Sequence, residues 1–512
     1  MARMMEEPVK KIDGSSLTVE DVAAVARSGA EVRLSKSSLE KMERSRQQVL
    51  ALVEQKKVVY GVTTGFGKFS NVVISQDQTE QLQKNLVMSH ATGVGDPLPE
   101  EVVRAIMLLR ANALAKGHSG IRPEVVEILL SMLNHGVHPV IPEKGSVGSS
   151  GDLAPLSHLA LVMLGMGEAF YRGTRMEGQK AMDKAGIPTV QLQAKEGLAL
   201  INGTQVMTAI GALAVFDAWR LAKTADIVAS LSIEALEGIA DAFDPKIQQV
   251  RPHPGQMASA AALRELLAGS EILGTAKHGR VQDGYSLRCI PQVHGASRDA
   301  IEHVLKVVST EINSATDNPL LFPEQEEVIS AGNFHGQPVA LVMDYLGIAL
   351  AELANISERR IERMVNPQLS NLPAFLTEKG GLNSGYMIAQ YTAASLVSEN
   401  KVLAHPASVD SIPTSANQED HVSMGTVAAR KARTILENTR YVLAIELLCA
   451  VQGIDLRGKT PGKGTKKACR AFRKKVARLN EDRVTYLDIE KSVKVIKDNI
   501  LLEAVGDLES HR

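Results

Sequence analysis

Long stretches of the chain place apolar residues at helical spacing. The longest runs from Thr204 to Ile239, with alanines between the apolar positions and no proline. Three further segments, beginning at Pro338, Tyr386 and Val427, repeat the pattern with apolar residues nearly all round the helix. Helices of that kind lie inside a bundle or an oligomer, because they leave no polar face for water. The pattern therefore predicts a mainly α protein built on long, largely buried helices.

Strand signals are short and local, for example "VVYGVTT" near Val58 and "VHPVIP" near Val137. The chain has 512 residues, 44% of them hydrophobic, which is enough for one large domain or two to three ordinary ones. Its longest apolar runs, such as the one from Leu159, are shorter than the roughly 20 residues that a bilayer requires. No membrane-spanning segment is therefore expected.

The charge balance excludes some classes of partner. Lys and Arg number 57 against 58 Asp and Glu, so no net field would recruit nucleic acid or an anionic membrane. A small molecule is the expected partner. Cys289, Cys449 and Cys469 are scattered and odd in number, which favours a reducing compartment. Acidic residues near the N-terminus replace the apolar run of a signal peptide, and a cytoplasmic location is expected.

Several familiar motifs are matched in part, but the residues around them do not support the usual function of the motif. Residues Gly453 to Thr460 read "GIDLRGKT", a formal phosphate-binding pattern, but a helical pattern precedes them where a strand is needed. A P-loop nucleotide-binding protein stays a remote alternative. Asp152 replaces the last glycine of the serine-hydrolase pattern. His135 and His138 have the spacing of metal ligands, but the adjoining prolines favour turn hydrogen bonds, and no metal is expected.

The stretch "GSVGSSGDLAPL", residues 145 to 156, precedes a predicted helix with Asp152 as its N-cap and Pro155 in its first turn. Taken alone, it is typical of a cap loop or an anion cradle. A chemical interpretation is also open. If the turn brings the Gly151 nitrogen onto the Ser149 carbonyl carbon, the backbone closes a five-membered ring, since Gly151 has no obstructing side chain. Loss of water from the ring and from Ser150 then leaves an electrophilic methylene group.

The motifs together resemble the aromatic amino acid ammonia-lyases and aminomutases, and among them the histidine branch. Members of that family build a methylidene-imidazolone from an Ala-Ser-Gly triplet within "GSxGASGDLAPL". The matching triplet here is Ser149-Ser150-Gly151, and the resemblance extends in order from "YGVTTGFGKFS" at Tyr60 to "NQEDHVSMG" at Asn417. It implies a 4-methylidene-imidazol-5-one (MIO) cofactor formed autocatalytically from these three residues, without pyridoxal phosphate (PLP) and without a metal.

The resemblance also implies roles for individual residues. Tyr60 would be the base that removes the β-proton of the substrate, and Tyr285 would support the electrophile and the proton transfer. Arg288 would bind the carboxylate of the substrate. Asn202 and Gln282 would orient the cofactor and the amino acid. The implied substrate-binding set is His90, Asn202, Gln282, Arg288, Phe334, Gln418 and Glu419, with Phe334 near the cofactor and His90 and Glu419 at the imidazole and ammonium ends.

Two short motifs bear on the substrate. "RCxPQ" from Arg288 and "NQED" from Asn417 resemble the histidine branch, whereas the phenylalanine and tyrosine enzymes usually carry "NQD". The implied reaction converts L-histidine to trans-urocanate and ammonia, the first step of histidine degradation. The alternative on the same fold is a tyrosine or phenylalanine ammonia-lyase or a 2,3-aminomutase. The chain departs from the family at Ser149, usually Ala, and at Gly284, often Ala or Pro, where we expect a looser loop.

For architecture, the resemblance implies a small N-terminal α+β domain followed by a long central helical bundle. The first, residues 1–116, would carry Tyr60 and His90; the second, residues 117–512, would hold the cofactor loop and a C-terminal helical region. The family forms homotetramers with each active site shared among three subunits. The nearly all-apolar helices agree with such an assembly, because a monomer would leave them insufficiently covered.

Overall fold

The computed structural model describes residues 9–55, 57–59, 61, 64, 78–273 and 281–506. The chain divides into two compact units. The first comprises Met1–Phe216, Leu305–Asp344 and Pro406–Arg430, and the second Asp217–Val304, Tyr345–His405 and Lys431–Arg512. The domain boundary expected at residue 116 falls inside the first unit and stays a prediction.

The protein is mainly α, as its apolar periodicity predicts. The helices of the described residues are α1 (Val19–Ser28), α2 (Lys36–Glu54), α3 (Thr79–His90), α4 (Glu100–Ala115), α5 (Pro123–His135), α6 (Leu153–Met163), α7 (Gly178–Ala185), α8 (Glu196–Ile201), α9 (Gln205–Ala235), α10 (Pro245–Gln249), α11 (Pro254–Leu267), α12 (Tyr285–Arg288), α13 (Ile290–Glu311), α14 (Gln337–Val365), α15 (Pro367–Ser370), α16 (Met387–Leu403), α17 (Gly425–Arg457), α18 (Lys463–Arg473), α19 (Thr485–Lys497) and α20 (Ile500–Val505).

The strands of the described residues are short, and all belong to the first unit. β1 and β2 pair in parallel, whereas the β3–β5, β4–β6–β7 and β8–β9 pairings are antiparallel. The strand predicted at Val137 is present as β4, while the signal near Val58 lies mostly outside the described residues. The bounds are β1 (Lys10–Ile12), β2 (Val32–Leu34), β3 (Val94–Pro97), β4 (Val137–Pro139), β5 (Pro142–Lys144), β6 (Glu168–Tyr171), β7 (Thr174–Glu177), β8 (Leu320–Phe322) and β9 (Glu327–Ile329).

All four helices predicted from apolar periodicity are confirmed, as α9, α14, α16 and α17. In α9 and α17 the apolar side chains are buried on every side of the helix, as their patterns predict. Burial of that extent stabilises a helix far more than its intrinsic propensity does. The long helices therefore form the rigid frame on which the polar loops are carried.

The expectation that no apolar run could span a bilayer is wrong for α14. This helix has a window of mean hydropathy 1.6, because isolated carboxylates such as Asp344 interrupt the apolar run without outweighing it. Of that window, 67% is buried within the protein, and the core helix of a soluble protein meets the same criterion of length and composition.

Candidate active site

The triplet Ser149-Ser150-Gly151 lies in a tight turn before α6. Gly151 has a φ of +71°, in the left-handed region that favours glycine. A Cβ atom at this position would lie 2.2 Å from the backbone oxygen of Gly203. Gly151 and Gly203 form a backbone bridge, and the Asp152 nitrogen donates to the same Gly203 oxygen at 2.7 Å. The turn therefore requires glycine at position 151 both for its dihedral angle and for its close approach.

Asp152 occupies the N-cap position of α6, as predicted, but its side chain caps a different helix. It precedes α6, but its side chain makes no capping hydrogen bond there. Its Oδ2 instead accepts from the backbone nitrogens of Val206 (3.0 Å) and Met207 (2.9 Å), in the first turn of α9. Its Oδ1 accepts from Ser146 Oγ at 2.8 Å and from Thr426 Oγ1. The free N–H groups of α9 attract the carboxylate, so Asp152 ties the turn to that helix.

Burial raises the pKa of the Asp152 carboxyl group, and the four hydrogen bonds that it accepts oppose that rise. A carboxylate accepting several hydrogen bonds is costly to remove, because each donor would lose its buried partner. Asp152 is therefore central to the placement of the turn, although it lies next to the triplet and not within it.

Asn202 joins the triplet from the loop between α8 and α9. Its Nδ2 donates to the backbone oxygen of Ser150 at 2.8 Å and to Ser150 Oγ at 2.7 Å. Its Oδ1 is buried and has no hydrogen-bond partner among the described residues. The structure thus brings together Asn202 and Ser150, two residues that the sequence analysis placed at one site.

A cavity of about 470 Å³ opens beside the two serines, within the first unit. It contains five of the residues that the resemblance assigns to the site, namely Ser149, Ser150, Phe334, Gln418 and Glu419. These come from three separate loops of the chain. The full lining is Ser149, Ser150, Asn318, Ser330, Ala331, Phe334, His335, Gln418, Glu419, Asp420 and His421.

His90, the last residue of α3, interacts electrostatically with Glu419. Burial lowers the pKa of His90, and the charge of Glu419 and a backbone hydrogen bond partly offset that shift. The imidazole of His90 is therefore neutral at pH 7. Glu419 is oriented by Thr414, whose Oγ1 donates to Glu419 Oε2 at 2.7 Å. The oriented carboxylate of Glu419 thus lies within electrostatic range of a neutral imidazole, although His90 is not among the residues that line the cavity.

The pair formed by His335 and His421 was missed as part of the site, although both residues stand in motifs that the sequence analysis singled out. Their rings are stacked with centroids 5.6 Å apart and an angle of 9° between planes. The Gln337 nitrogen donates to His335 Nδ1 at 3.3 Å, so His335 Nε2 carries the proton that it donates to the His421 backbone oxygen at 3.2 Å. His335 therefore links the loop of Phe334 to the loop of Glu419.

Gln282, Tyr285 and Arg288 belong to the second unit and are not among the residues that line this cavity. The Tyr285 side chain is 72% exposed. The Arg288 guanidinium lies 4.5 Å from the centre of the Tyr285 ring, and its Nε donates to the Asp283 backbone oxygen at 3.0 Å. Tyr60 lies outside the described residues. The roles assigned to Tyr60, Gln282, Tyr285 and Arg288 therefore stay predictions.

Gly284, one of the two departures from the family pattern, is packed where a looser loop was expected. A Cβ atom at Gly284 would lie 2.1 Å from a terminal nitrogen of Arg363. The guanidinium of α14 therefore fills the space that an alanine or proline side chain would take.

The phosphate-binding pattern at residues 453–460 has no strand before it. Gly453 lies inside α17, which continues to Arg457. Lys459 lies 3.5 Å from Glu237, a carboxylate, which makes an ion pair with it. A P-loop requires a strand, a glycine-rich loop and a helix in that order, so the nucleotide-binding alternative lacks its structural basis.

Comparisons with known proteins agree on one family. The sequence profile of the family described as "Aromatic amino acid lyase" matches residues 17–474. A histidine ammonia-lyase of Caldanaerobacter subterraneus subsp. tengcongensis is 64% identical over 497 residues, which are 97% of this chain and 98% of that protein. The crystal structure of histidine ammonia-lyase from Trypanosoma cruzi has 46% identity and a TM-score of 0.91, covering 97% of this chain and 95% of that one. Tyrosine aminomutase from Streptomyces globisporus has 41% identity and a TM-score of 0.93, covering 98% of each chain.

Proposed function

The chain belongs to the aromatic amino acid lyase family, and from that premise we propose that it eliminates ammonia from L-histidine to give trans-urocanate, the first step of histidine degradation. Relatives named as histidine ammonia-lyases are 57–64% identical over nearly the whole chain. The observation that carries the proposal is the cavity beside Ser150, which Glu419 lines; Glu419 also interacts electrostatically with His90. A carboxylate and a neutral imidazole suit a substrate that carries an imidazole and an ammonium group.

The reaction needs an electrophile, because the β-hydrogen of an amino acid is barely acidic and ammonia is a poor leaving group. We propose that Ser149-Ser150-Gly151 cyclises and loses two waters to form a 4-methylidene-imidazol-5-one. The residues fit that group: Gly151 occupies a cradle that a Cβ would obstruct, and Asn202 holds Ser150 and keeps a buried Oδ1 available. When formed, the group supplies an electrophilic methylene without PLP or a metal.

The residues of the cavity would bind and orient the substrate. Glu419 accepts a proton or a hydrogen bond from a nitrogen of the substrate, and Thr414 keeps its carboxylate oriented. Phe334 supplies an apolar wall, which excludes water from the reacting carbons. Asn202 Oδ1 can accept a hydrogen bond from an N–H group beside Ser150. Together these contacts would hold the amino acid against the electrophile.

Tyr285 and Arg288 would act on a neighbouring copy of the chain. We propose a homotetramer in which each active site is shared among three subunits, and the exposure of Tyr285 supports this arrangement. Arg288 suits the substrate carboxylate, because its planar guanidinium donates two parallel hydrogen bonds. Tyr60 keeps its predicted role as the base, which requires a phenol pKa well below the usual value of about 10. The absence of nucleic acid and membrane partners and the cytoplasmic location stay predictions.

The second candidate function is a tyrosine or phenylalanine lyase or 2,3-aminomutase, favoured by the likeness to tyrosine aminomutase from Streptomyces globisporus. Incubation with histidine, tyrosine and phenylalanine separates the two, with ammonia assayed and the ultraviolet absorbance of the unsaturated acids recorded. We expect urocanate and ammonia from histidine alone. Ammonia, or a β-amino acid detected by chromatography, from tyrosine or phenylalanine alone would overturn the proposal. Activity that survives a metal chelator is expected as well.

A further inference from the structure

Arg110, on α4, lies behind the loop that holds the cofactor triplet. Its side chain is completely buried. One terminal nitrogen donates to the backbone oxygen of Asn202 at 2.7 Å and to Gln205 Oε1 at 2.8 Å. Gln205 in turn donates from Nε2 to Thr316 Oγ1 at 2.8 Å. The guanidinium therefore binds the residues on both sides of Gly203.

Gly203 connects this cluster to the triplet. A Cβ atom at Gly203 would lie 2.7 Å from the Arg110 nitrogen and 2.3 Å from Gln205 Oε1, so both groups pack directly against its Cα. The backbone of Gly203 pairs with Gly151, and the side chain of Asn202 donates to Ser150. Asn202 and Gly203 thus contact the triplet with one set of atoms and Arg110 with another.

Burial of this guanidinium is costly. Its Nε and its other terminal nitrogen have no hydrogen-bond partner among the described residues. A buried donor without an acceptor destabilises the folded protein, because it has lost its hydrogen bonds to water. Burial also lowers the pKa of Arg110 to about 10, which the charge of Asp317 opposes, so the group remains a cation at neutral pH. Asp317 is shared, because it also binds Lys195 Nζ at 2.6 Å.

A buried cation with unsatisfied donors is a poor source of stability, since an apolar side chain of similar size would avoid both costs. Its hydrogen bonds among the described residues go to Asn202 and Gln205, which flank Gly203. We propose that Arg110 is a positioning residue: it holds Asn202 and Gly203 in the place where they align Ser150 and Gly151, and thereby controls how completely the triplet cyclises and dehydrates. This inference rests on the proposed function.

Arg104 provides a matched control on the same helix. It is also buried, and its guanidinium also donates to backbone oxygens, those of Val25 (2.9 and 3.1 Å) and Leu133 (3.1 Å). Neither acceptor has a hydrogen bond to the triplet among those that the structure describes. Substitution of Arg104 therefore removes a comparable set of buried hydrogen bonds to backbone oxygens without disturbing Asn202 or Gly203.

The test compares full-length Arg110→Lys, Arg110→Met, Arg104→Lys and Arg104→Met with the wild type. Intact mass gives the fraction of chains that have lost two waters, thermal unfolding gives stability, and steady-state kinetics give kcat per dehydrated chain and KM. We expect the dehydrated fraction to fall several-fold in Arg110→Met. It should fall less in Arg110→Lys, which keeps the positive charge but lacks the planar guanidinium with its several donors. A misplacement of Asn202 should lower kcat per dehydrated chain by about tenfold or more, with little change in KM.

The Arg104 variants should unfold at lower temperature and yet dehydrate fully. Complete dehydration with unchanged kcat in soluble Arg110→Lys would overturn the proposal. So would equal losses of dehydration in Arg104 and Arg110 variants of equal stability, because the effect would then be general destabilisation. If the wild type itself retains both waters, the proposed electrophile fails, and the role of Arg110 with it; full dehydration of the wild type beside unaffected Arg110 variants overturns the role of Arg110 alone.

Discussion

The turn around Ser150 and the segment around Tyr285 carry parts of one predicted site, yet they are held in opposite ways. In the turn, Ser150 is bound twice by Asn202, Gly151 pairs with Gly203, and Asp152 accepts four hydrogen bonds. In the segment, Tyr285 is 72% exposed.

This difference agrees with the role proposed for each region. A backbone cyclisation within the triplet is intramolecular, so its geometry must be imposed by the folded chain itself. Residues that bind the substrate act later and can be supplied by a neighbouring subunit. Substitutions in the turn should therefore affect the loss of two waters, which the intact mass of the chain reports. Substitutions around Tyr285 should leave that loss complete.

Ser150→Ala should have the largest effect, because it removes the source of the methylene group. We expect activity toward histidine to fall by roughly 10³-fold or more, with the loss of the electrophilic contribution to the transition state. The intact mass should correspond to the unmodified chain. A variant that still loses two waters would show that another residue supplies the methylene. A general loss of folding is not expected, since only one acceptor of Asn202 is removed.

Tyr285→Phe comes next and tests the exposed region. Loss of a proton-transfer group typically costs about 10²- to 10⁴-fold in rate. Dehydration should remain complete and the unfolding temperature unchanged, because the ring is mostly exposed. Incomplete dehydration in this variant would contradict the separation of the two regions.

Shared sites can then be tested by refolding a mixture of Ser150→Ala and Arg288→Met chains. If one subunit supplies the electrophile and another the arginine, some mixed sites contain both intact groups. We expect the mixture to regain activity that neither variant has alone. No regain, with mixed oligomers demonstrated by mass, would place both groups in one chain.

Glu311→Gln should change the free energy of unfolding and its pH dependence by less than the preceding substitutions change activity, because it removes one buried carboxyl group whose pKa is raised. Burial raises the pKa of Glu311, as does the charge of Asp152, against a hydrogen bond donated by Thr204 Oγ1 at 2.5 Å. The folded protein therefore keeps this proton at a pH where the unfolded chain, with an ordinary carboxyl pKa of 4.5, has lost it. The free energy of unfolding thus falls as the pH rises through this interval.

The glutamine keeps an acceptor for Thr204 and carries no charge, so this slope should disappear. Urea unfolding at a series of pH values from about 4.5 to 8 measures it. The variant should be the more stable protein at neutral pH, and a less stable variant with an unchanged slope would contradict the raised pKa of Glu311.

Ser149→Ala should have the smallest effect, within about twofold in kcat and about 0.5 kcal/mol in stability. Ser149 would contribute only its carbonyl carbon to the ring, and its hydroxymethyl group would remain a substituent. Complete dehydration with nearly full activity is the expected result. Inactivity here together with an active Ser150→Ala would reverse the assignment of the two serines.

Helical spacing was sufficient to predict α9, α14, α16 and α17, and motif order was sufficient to predict the family. Asp152 was correctly predicted at the N-cap position of α6, but the binding of its carboxylate to α9 was not predicted, and no role was assigned to Arg110 or His335. Asp152 was judged by its neighbours in sequence, whereas its carboxylate binds Val206 and Met207, more than 50 residues away. The partner of a buried polar group depends on which residues the folded chain packs against it. The sequence pattern around that group does not contain this information.

Two features could be inferred from local sequence alone: the helical period of the long segments, and a Ser-Ser-Gly triplet with the atoms and conformational freedom to cyclise. Covalent chemistry between adjacent residues and the freedom of a glycine require no distant partner. Three interactions became visible only in the folded chain: Asn202 donates to Ser150, Glu419 interacts electrostatically with His90, and Arg110 packs against Gly203. These contacts join residues far apart in the chain, and they exist because burial leaves each polar group few alternatives to its partner.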